Sequence, residues 1–352
     1  MANQSSVEHE ILSQPEVWAA TWQHLQESRD RLGTLLFSQC WDAVFFTGCG
    51  STYYLALAAA NLHQQLTGQR TRGVPSSEMA LFPAGVYPDI GLQTNLLIAL
   101  SRSGETTETL RAVEQHHGRR MPVLAITTDG DSSLARQSEA VVAAGVAREE
   151  SVPQTRSFTS MYLATQFVAG LAAGDKAFLA ALERLPSLGQ EVLERSRQTV
   201  AEAASTGWQR IIFLGSGPYY GLACEGMLKV KEMGLDWSEA YHFPEFRHGP
   251  ISLVDDSTLV VGLLSDTGAD GERALLREVH ELGGQTLTIG EHGLGTEAAT
   301  YAISLESGLS ELARGALCLL PLQLLAYHRA QARGIDPDRP RHLQKAVVLA
   351  GA

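Results

Sequence analysis

The chain has 352 residues, of which 44% are hydrophobic and 19% charged, so it is long enough for two globular domains and too apolar to be disordered. Its 39 acidic and 27 basic residues give a net charge of −12 at pH 7. This charge argues against a protein that wraps nucleic acid or lies on an anionic membrane. It does not exclude a phosphorylated ligand, because a few local donors decide binding inside a cleft.

Nothing in the sequence predicts export, membrane insertion, a metal or a cofactor. The N-terminus has neither the basic nor the apolar segment of a signal peptide, and the longest apolar run, 317–326, is too short to cross a bilayer. We therefore expect a cytoplasmic protein. The cysteines Cys40, Cys49, Cys224 and Cys318 show no paired spacing, and the last three are expected to be buried thiols.

The first predicted elements are helices, followed by a strand that ends in glycines. Apolar residues recur at helical spacing over residues 8–35, which predicts a packing arm without chemistry. An apolar strand, 43–47, then enters a Gly-x-Gly turn at 48–50 and is followed by an Ala-rich helix, 55–62. Such a turn alone is weak evidence for a ligand, and without a full GxGxxG a dinucleotide-binding fold is not supported.

A serine-rich loop follows the next strand. Residues 97–100 are typical of a short buried strand, Ser-Arg-Ser-Gly follows at 101–104, and Glu-Thr-Thr-Glu opens a helical pattern. The free N–H groups of such a helix start, with the hydroxyls of Ser101, Ser103 and Thr106, can bind three oxygens of a phosphate. The alternative is an ordinary capped turn in which Ser103 is the N-cap and Thr106 lies at the surface.

The alternation of strands and helices predicts an α/β fold. Strands over 96–101 and 122–127 alternate with helices over 104–116 and 133–139, which is typical of a parallel sheet with helices on both faces. Ligand sites in such sheets lie at the carboxyl ends of the strands, where the glycine turn and the serine loop both fall.

The second half of the chain repeats the first. Residues 211–220 match the stretch that begins at Val44, 259–264 match the Leu97 strand, and 285–290 match 123–128. Three strands recurring in one order predict two tandem copies of one α/β unit. The loop after 264 carries carboxylates, so only the first copy is expected to bind phosphate; these residues are Asp266, Asp270 and Glu272.

The connecting segments are less informative. A charged helical connector is predicted over 175–205. After about residue 330 an extended tail is predicted, because Pro337 and Pro340 forbid a regular helix.

A charged stripe is predicted on the helix after the second glycine turn. Glu225, Lys229 and Glu232 are spaced i, i+4 and i+7 and would share one helix face. A solvated row of ion pairs is the alternative. His248 precedes Gly-Pro and so lies in a rigid loop, which favours a functional imidazole.

These segments resemble sugar isomerase (SIS) domains, and most closely the isomerase half of glucosamine-6-phosphate synthase and its stand-alone double-SIS deaminase and isomerase relatives. The resemblance implies two tandem SIS domains, each a parallel sheet flanked by helices in a flavodoxin-like three-layer sandwich. It divides the chain into an arm (1–34), a phosphate-binding SIS domain (35–185), a second SIS domain (186–330) and a tail (331–352). The matching signatures are Cys-Gly-Ser-Thr (49–52), Ser-Arg-Ser-Gly-Glu-Thr (101–106), Glu-Gly-x-Leu-Lys-x-Lys-Glu (225–232), Glu-x-x-His-Gly-Pro (245–250) and Pro-Arg-x-Leu-x-Lys (340–345).

The resemblance also implies roles for individual residues. Glu232 would move a proton between C1 and C2 of a sugar, His248 would help to open the ring, and Lys345 would reach the carbonyl carbon, with a Schiff base left open. The remaining implied residues contact substrate: Gly50, Ser51, Thr52, Ser101, Arg102, Ser103, Thr106, Val152, Gln154, Glu225 and Lys229.

The chain departs from the family pattern in three places. Arg102 stands where the family usually has Gln and would add positive charge at the phosphate. Residues 152–159 lack the Ala-Ser-Thr-Lys of the synthases and look more like the stand-alone enzymes, which leaves the contacts of Val152 and Gln154 open. Only residues 1–42 precede the first strand, so no glutaminase domain is expected.

The expected function is aldose–ketose interconversion of a hexosamine 6-phosphate with release of ammonia, or the reverse with free ammonia. A plain isomerase, a deglycase of amine-linked fructose 6-phosphates, and a non-catalytic sugar-phosphate sensor are the alternatives. A homodimer with shared active sites is expected, with Glu232 from one chain and His248 from the other. The apolar run 317–325 supports this expectation because it exceeds what one small sheet needs to cover.

Overall fold

The computed structural model describes residues 5–87, 93–293 and 299–349. The described residues form two compact units. The first-sheet unit holds residues 16–149, 154–184 and 344–349, and the second-sheet unit holds 5–15, 150–153 and 185–343. These units divide the chain differently from the predicted boundaries, because the predicted arm is split between them and the end of the tail belongs with the first sheet.

Fifteen helices and ten strands are defined in the described ranges. The helices are α1 (Ser6–Leu12), α2 (Gln14–Glu27), α3 (Arg29–Leu36), α4 (Ser51–Thr67), α5 (Ser76–Leu81), α6 (Pro83–Val86), α7 (Thr107–His117), α8 (Ser133–Arg136), α9 (Arg156–Ala173), α10 (Lys176–Leu182), α11 (Leu185–Ser205), α12 (Pro218–Lys229), α13 (Phe243–Phe246), α14 (Ala269–Glu281) and α15 (Glu311–Ala332). The strands are β1 (Ala43–Gly48), β2 (Thr71–Pro75), β3 (Asn95–Ser101), β4 (Val123–Thr127), β5 (Ala140–Ala143), β6 (Arg210–Leu214), β7 (Ser238–Tyr241), β8 (Thr258–Leu263), β9 (Gln285–Gly290) and β10 (Tyr301–Ser304).

The first sheet is parallel throughout, in the order β2-β1-β3-β4-β5. Every residue of β1, β3 and β4 is buried, as expected for continuous apolar strands that are covered on both faces. One face packs on α5, α7 and α8 through Met79, Val113 and Leu134, and α4 and α9 pack against strands of the same sheet. The result is the predicted three-layer sandwich.

The second sheet has the order β10-β9-β8-β6-β7 and is also parallel. Read from the β7 edge, with β6 counted as strand 1, the order is 2-1-3-4-5. This is the order of the first sheet and of flavodoxin-like folds. One face packs on α13 and α14 through Phe243, Phe246 and Leu276, while α12 and α15 pack together within the same unit. The predicted repeat is thereby confirmed.

The two glycine turns show the repeat at the level of single residues. Gly50 caps α4 with φ 55° and ψ −123°, and Gly217 caps α12 with φ 56° and ψ −129°, a region that side chains rarely adopt. A Cβ on Gly48 would lie 2.6 Å from the Thr52 carbonyl oxygen, and one on Gly215 would lie 2.5 Å from that of Tyr219. Both strands therefore need glycine where the chain turns sharply into its helix.

The apolar run 317–326 lies in the middle of α15, with Pro321 inside the helix. All ten residues are buried within the chain, and α15 packs on α11, α12 and α1 of its own unit. This run is therefore core, and its use as evidence for a dimer face is wrong.

The structure also tests the predictions for the cysteines and for membrane-spanning helices. Cys224 and Cys318 are buried as predicted, Cys49 is half-buried and Cys40 is exposed, and all four are free thiols. Among the residues that the structure describes, no helix has the length and apolarity needed to cross a membrane.

Candidate active site

The serine loop, residues 101–106, joins β3 to α7 and is folded around its own hydroxyl groups. Ser101 Oγ accepts the Gly104 N–H at 3.0 Å and lies 3.4 Å from Thr106 Oγ1. Ser103 Oγ accepts the Glu105 N–H at 3.2 Å. The N-cap of α7 is Thr106, without a side-chain capping bond, so the alternative with Ser103 as N-cap is wrong.

Contacts from the next strand and helix fix the loop backbone. The Arg102 carbonyl accepts the Thr128 N–H at 3.1 Å and the Thr128 hydroxyl at 2.8 Å. Gly104 has φ 66°, and a Cβ there would lie 2.1 Å from Ser132 Oγ. The Ser133 N–H donates to Glu105 Oε1 at 2.7 Å. These contacts hold the loop, and with it the hydroxyls of Ser101, Ser103 and Thr106, in one conformation at the start of α7.

The first glycine turn lies at the same sheet edge, because β1 and β3 are parallel neighbours. Ser51 and Thr52 open α4 and are buried, beside Gly50. Thr52 Oγ1 accepts the Cys49 N–H and donates to the Cys49 carbonyl, both at 2.9 Å. The structure thus brings Gly50, Ser51 and Thr52 to the edge that carries the serine loop.

The side chain of Arg102, which is predicted to add positive charge at the phosphate, makes contacts within the chain. It is 8% exposed, and its Nη1 lies 3.1 Å from Glu149 Oε2. Its Nη2 donates to the Lys345 carbonyl at 2.9 Å, and Lys345 Nζ donates to the Glu149 carbonyl at 2.9 Å. Arg102 and Lys345, placed apart in the sequence, meet at Glu149.

Glu225, Lys229 and Glu232 form a buried cluster in the second-sheet unit. Lys229 Nζ lies 3.1 Å from Glu225 Oε1 and 2.5 Å from Glu232 Oε2. The side chains of Glu225 and Lys229 are fully buried, whereas that of Glu232 is 17% exposed. The predicted common face is confirmed, but a solvated stripe is excluded.

The charge state of this cluster follows from its geometry. Burial alone would lower the pKa of Lys229, but the charges of Glu225 and Glu232 and their hydrogen bonds outweigh it and raise the pKa above its ordinary value. After Lys229 the helix widens into a π-helical turn, Val230–Gly234, which ends at Leu235 with φ 53°. Such turns are frequent at functional sites, and this one contains Glu232.

The other predicted residues are dispersed in the two units. His248 is exposed in a turn where its N–H donates to the Glu245 carbonyl at 3.0 Å, and Val152 is half-buried with its N–H on the Asp338 carbonyl at 3.1 Å. Gln154 is half-buried, and its Oε1 is buried with no hydrogen-bond partner within the described ranges.

The second serine loop, 265–268, keeps the skeleton of the first. Ser265 Oγ accepts the Gly268 N–H at 2.8 Å, as Ser101 does for Gly104. The Asp266 and Thr267 N–H groups donate to Glu311 Oε2 at 2.7 and 3.4 Å. A carboxylate of the chain itself thus occupies these donors, which gives a physical reason for the predicted loss of phosphate binding.

Sequence reasoning missed Glu149 and Glu311. Each is one glutamate without a recognisable motif, far along the chain from the loop that it contacts. No signal in the pattern distinguishes either from a surface carboxylate. Within the described part of the chain, no three His, Cys, Asp or Glu side chains are grouped so as to hold a metal ion.

The family model described as SIS domain matches residues 39–170 and 206–328. The chain belongs to the SIS domain family. The two matched regions contain the two sheets, and the first includes the serine loop.

Similar proteins include both long synthases and stand-alone enzymes. The chain is 33% identical over 355 residues to glutamine–fructose-6-phosphate aminotransferase [isomerizing] from Pyrobaculum aerophilum, covering 97% of this chain and 57% of that protein. The chain thus spans about half the length of the curated relatives it matches. A crystal structure of glucosamine-6-phosphate deaminase from Thermotoga maritima shares 31% identity and a TM-score of 0.82, covering 98% of this chain and 100% of that one. Tagatose-6-phosphate ketose/aldose isomerase from Escherichia coli has a TM-score of 0.85 at 23% identity, over 96% of this chain and 95% of that one, and shares the fold.

Proposed function

We propose that this protein is a phosphosugar isomerase that converts a hexosamine 6-phosphate and water into a ketose 6-phosphate and ammonia, or runs the reverse reaction with free ammonia. The observation that carries the proposal is Glu232, the one partly exposed carboxylate of a cluster that is otherwise closed to solvent. Aldose–ketose conversion through an enediol needs a base that takes a proton from one carbon and returns it to the next, and a positioned carboxylate can do this. The deaminase of Thermotoga maritima, similar over its whole length, supports this substrate class.

The buried lysine defines how Glu232 would work. The contact with the Lys229 ammonium fixes the orientation of the Glu232 carboxylate, so that it can accept a carbon-bound proton. Glu225 contacts the same ammonium from the fully buried side of the cluster and so helps to fix the position of Lys229. We therefore assign Glu225 and Lys229 to positioning Glu232, and not to direct contact with the sugar.

The phosphate would bind at the serine loop. The hydroxyls of Ser101, Ser103 and Thr106 lie at the start of an eleven-residue helix, whose dipole favours an anion at this end. Gln154, with its buried amide oxygen, would accept a sugar hydroxyl. Gly50, Ser51, Thr52 and Val152 would line the sugar, His248 would move the ring-oxygen proton, and Lys345 would approach the carbonyl carbon.

The test is a panel of hexosamine, ketose and amine-linked hexose 6-phosphates, with ammonia and ketose phosphate both measured. Glu232→Gln should reduce the rate by at least about 10²-fold, the usual contribution of a positioned acid–base group. Glu281→Gln, at the exposed end of α14, is the matched control and should keep full activity.

Each outcome of the panel identifies one reaction. Ketose formed with equimolar ammonia supports the deaminase, and free amine released from amine-linked substrates identifies a deglycase. Interconversion without ammonia identifies a plain isomerase. Tight binding without any turnover, or full activity in Glu232→Gln, would contradict the proposal.

A further inference from the structure

We propose that Arg102 is a positioning residue that fastens the segment carrying Lys345 onto the serine loop. This inference rests on the proposed function only in what Lys345 does chemically; the fastening itself is a property of the first-sheet unit. It assigns to Arg102 a task other than neutralising the substrate phosphate.

Both the backbone carbonyl and the side chain of Arg102 are hydrogen-bonded within the first-sheet unit. Its backbone carbonyl accepts bonds from Thr128, which fixes the loop. Its guanidinium reaches Glu149 with one nitrogen and the Lys345 carbonyl with another. A planar guanidinium can bind a carboxylate and a carbonyl at once in fixed directions, which neither glutamine nor a lysine ammonium can reproduce.

Glu149 is the residue to which both Arg102 and Lys345 are bonded. Its side chain is fully buried, and besides Arg102 it accepts the Thr155 N–H at 2.6 Å and the Ser157 hydroxyl at 2.5 Å. Its own carbonyl accepts Lys345 Nζ. Lys345 is thus held at two points, by its carbonyl on Arg102 and by its ammonium on Glu149.

The residues after Lys345 continue along the start of α7. The Val347 carbonyl accepts the Thr107 N–H at 3.3 Å, and the Leu349 N–H donates to Thr107 Oγ1 at 3.0 Å. Thr107 is the first residue of the helix that the serine loop opens. The segment 344–349 is therefore bonded to Arg102 in the serine loop and to Thr107 directly after it, so we expect a change in the loop to affect Lys345.

The experiment compares Arg102→Gln and Arg102→Lys with wild type by two readouts. The first is the rate of tryptic cleavage after Lys345, followed by mass spectrometry. The second is the separation of kcat from KM for the phosphosugar that is turned over. Arg136→Gln, an exposed arginine of α8 in the same unit, is the control.

Loss of one charge-assisted hydrogen bond should speed cleavage by about tenfold and lower kcat by about tenfold, with KM changed less than about threefold. Arg102→Lys should fall between wild type and Arg102→Gln. Unchanged cleavage, or a rise in KM by about 10- to 100-fold at constant kcat, would overturn the inference and return Arg102 to the phosphate.

Two controls keep these outcomes distinct. Arg102→Met combined with Glu149→Gln leaves no unpaired buried charge, so it tests the fastening even if Arg102→Gln folds poorly. If wild type turns over no phosphosugar, the proposed function fails, and the cleavage rates still decide whether Arg102 holds the segment.

Discussion

Lys229 and its two glutamates are a case in which removing one partner and removing all three have different consequences. A buried ion pair adds little to the free energy of unfolding compared with an apolar replacement of the same size. A single uncompensated charge in the same place lowers the free energy of unfolding strongly. The pKa of Lys229 is raised in the folded protein, so the folded protein binds this proton more tightly than the unfolded chain does. The stabilisation is therefore complete below about pH 10 and is lost only as pH rises through the raised pKa.

We expect Lys229→Met to lower the free energy of unfolding by roughly 3–5 kcal/mol at neutral pH, because the fully buried Glu225 side chain then loses its counter-charge. Urea unfolding followed by tryptophan fluorescence measures the change. Arg273→Met, which removes a more exposed partner of Asp270 in the same unit, should cost less than about 1 kcal/mol. Equal costs for the two variants would show that Lys229 is not acting as a buried counter-charge.

Two buried histidines predict how stability depends on pH. Burial lowers the pKa of both His63 and His116 to about 4, and both side chains lie in the first-sheet unit. The unfolded state binds a proton near pH 6.5 that the folded state does not, so stability falls as pH drops from 6.5 towards 4. Each histidine should cost roughly 2 kcal/mol by pH 5, from about 1.4 kcal/mol per pH unit.

The measurement is the shift of the thermal midpoint between pH 7.5 and pH 5. His63→Gln and His116→Gln should each reduce this shift, whatever they do to the midpoint at pH 7.5. His9→Gln, at an exposed position, should leave the shift unchanged. A shift that both buried variants retain in full would exclude these histidines as its cause.

At the scale of elements, the central strands could be predicted and the edges could not. β1, β3, β4, β6 and β8 are mostly apolar runs and β9 alternates polar with apolar residues, whereas β2, β5, β7 and β10 are the edge strands of the two sheets. β2 reads Thr-Arg-Gly-Val-Pro, with one buried residue in five, so nothing in its pattern indicates a strand. α9 was missed for the opposite reason: almost all of it is buried, and a helix that is buried all round has no amphipathic period.

The residues of the candidate site also differ in how far the sequence predicts them. Motifs on turns and helix starts, such as Ser101-Arg102-Ser103, are local and can be predicted. The pairing of Arg102 with Glu149 depends on tertiary contacts, and so does the π-helical turn that carries Glu232. A sequence pattern contains neither.

The two serine loops provide a matched comparison for phosphate binding. Ser103→Ala should raise KM for the phosphosugar by about one to two orders of magnitude, because a charge-assisted bond contributes roughly 1.5–3 kcal/mol. Thr267→Ala, at the corresponding place in the second loop, should leave KM unchanged, since Glu311 already occupies that loop. Equilibrium dialysis should find one phosphosugar per chain; two per chain, or an unchanged KM in Ser103→Ala, would contradict this assignment.

At the scale of the whole molecule, the homodimer stays a prediction. We expect sedimentation to give a dimer, and a mixture of Glu232→Gln and His248→Ala protomers to regain about one intact site per mixed dimer. Each parent should lose at least about 10²-fold in rate. A mixture as inactive as its parents, after subunit exchange has been demonstrated by mass labelling, would show that these residues are not shared between chains.

The second-sheet unit joins parts of the chain that are far apart, and this has a consequence for synthesis on the ribosome. Val7 and Ile11 of α1 are fully buried, and Gln14 Nε2 bonds to Gln323 Oε1, 309 positions later. Ser5 likewise bonds to Asp338 across 333 positions. Because translation adds roughly 5–20 residues per second, the apolar face of the first helix stays without its partners for tens of seconds. During that time the exposed apolar face can aggregate, and moving α1 behind α15 in a circular permutant should shorten the delay and reduce aggregation during expression.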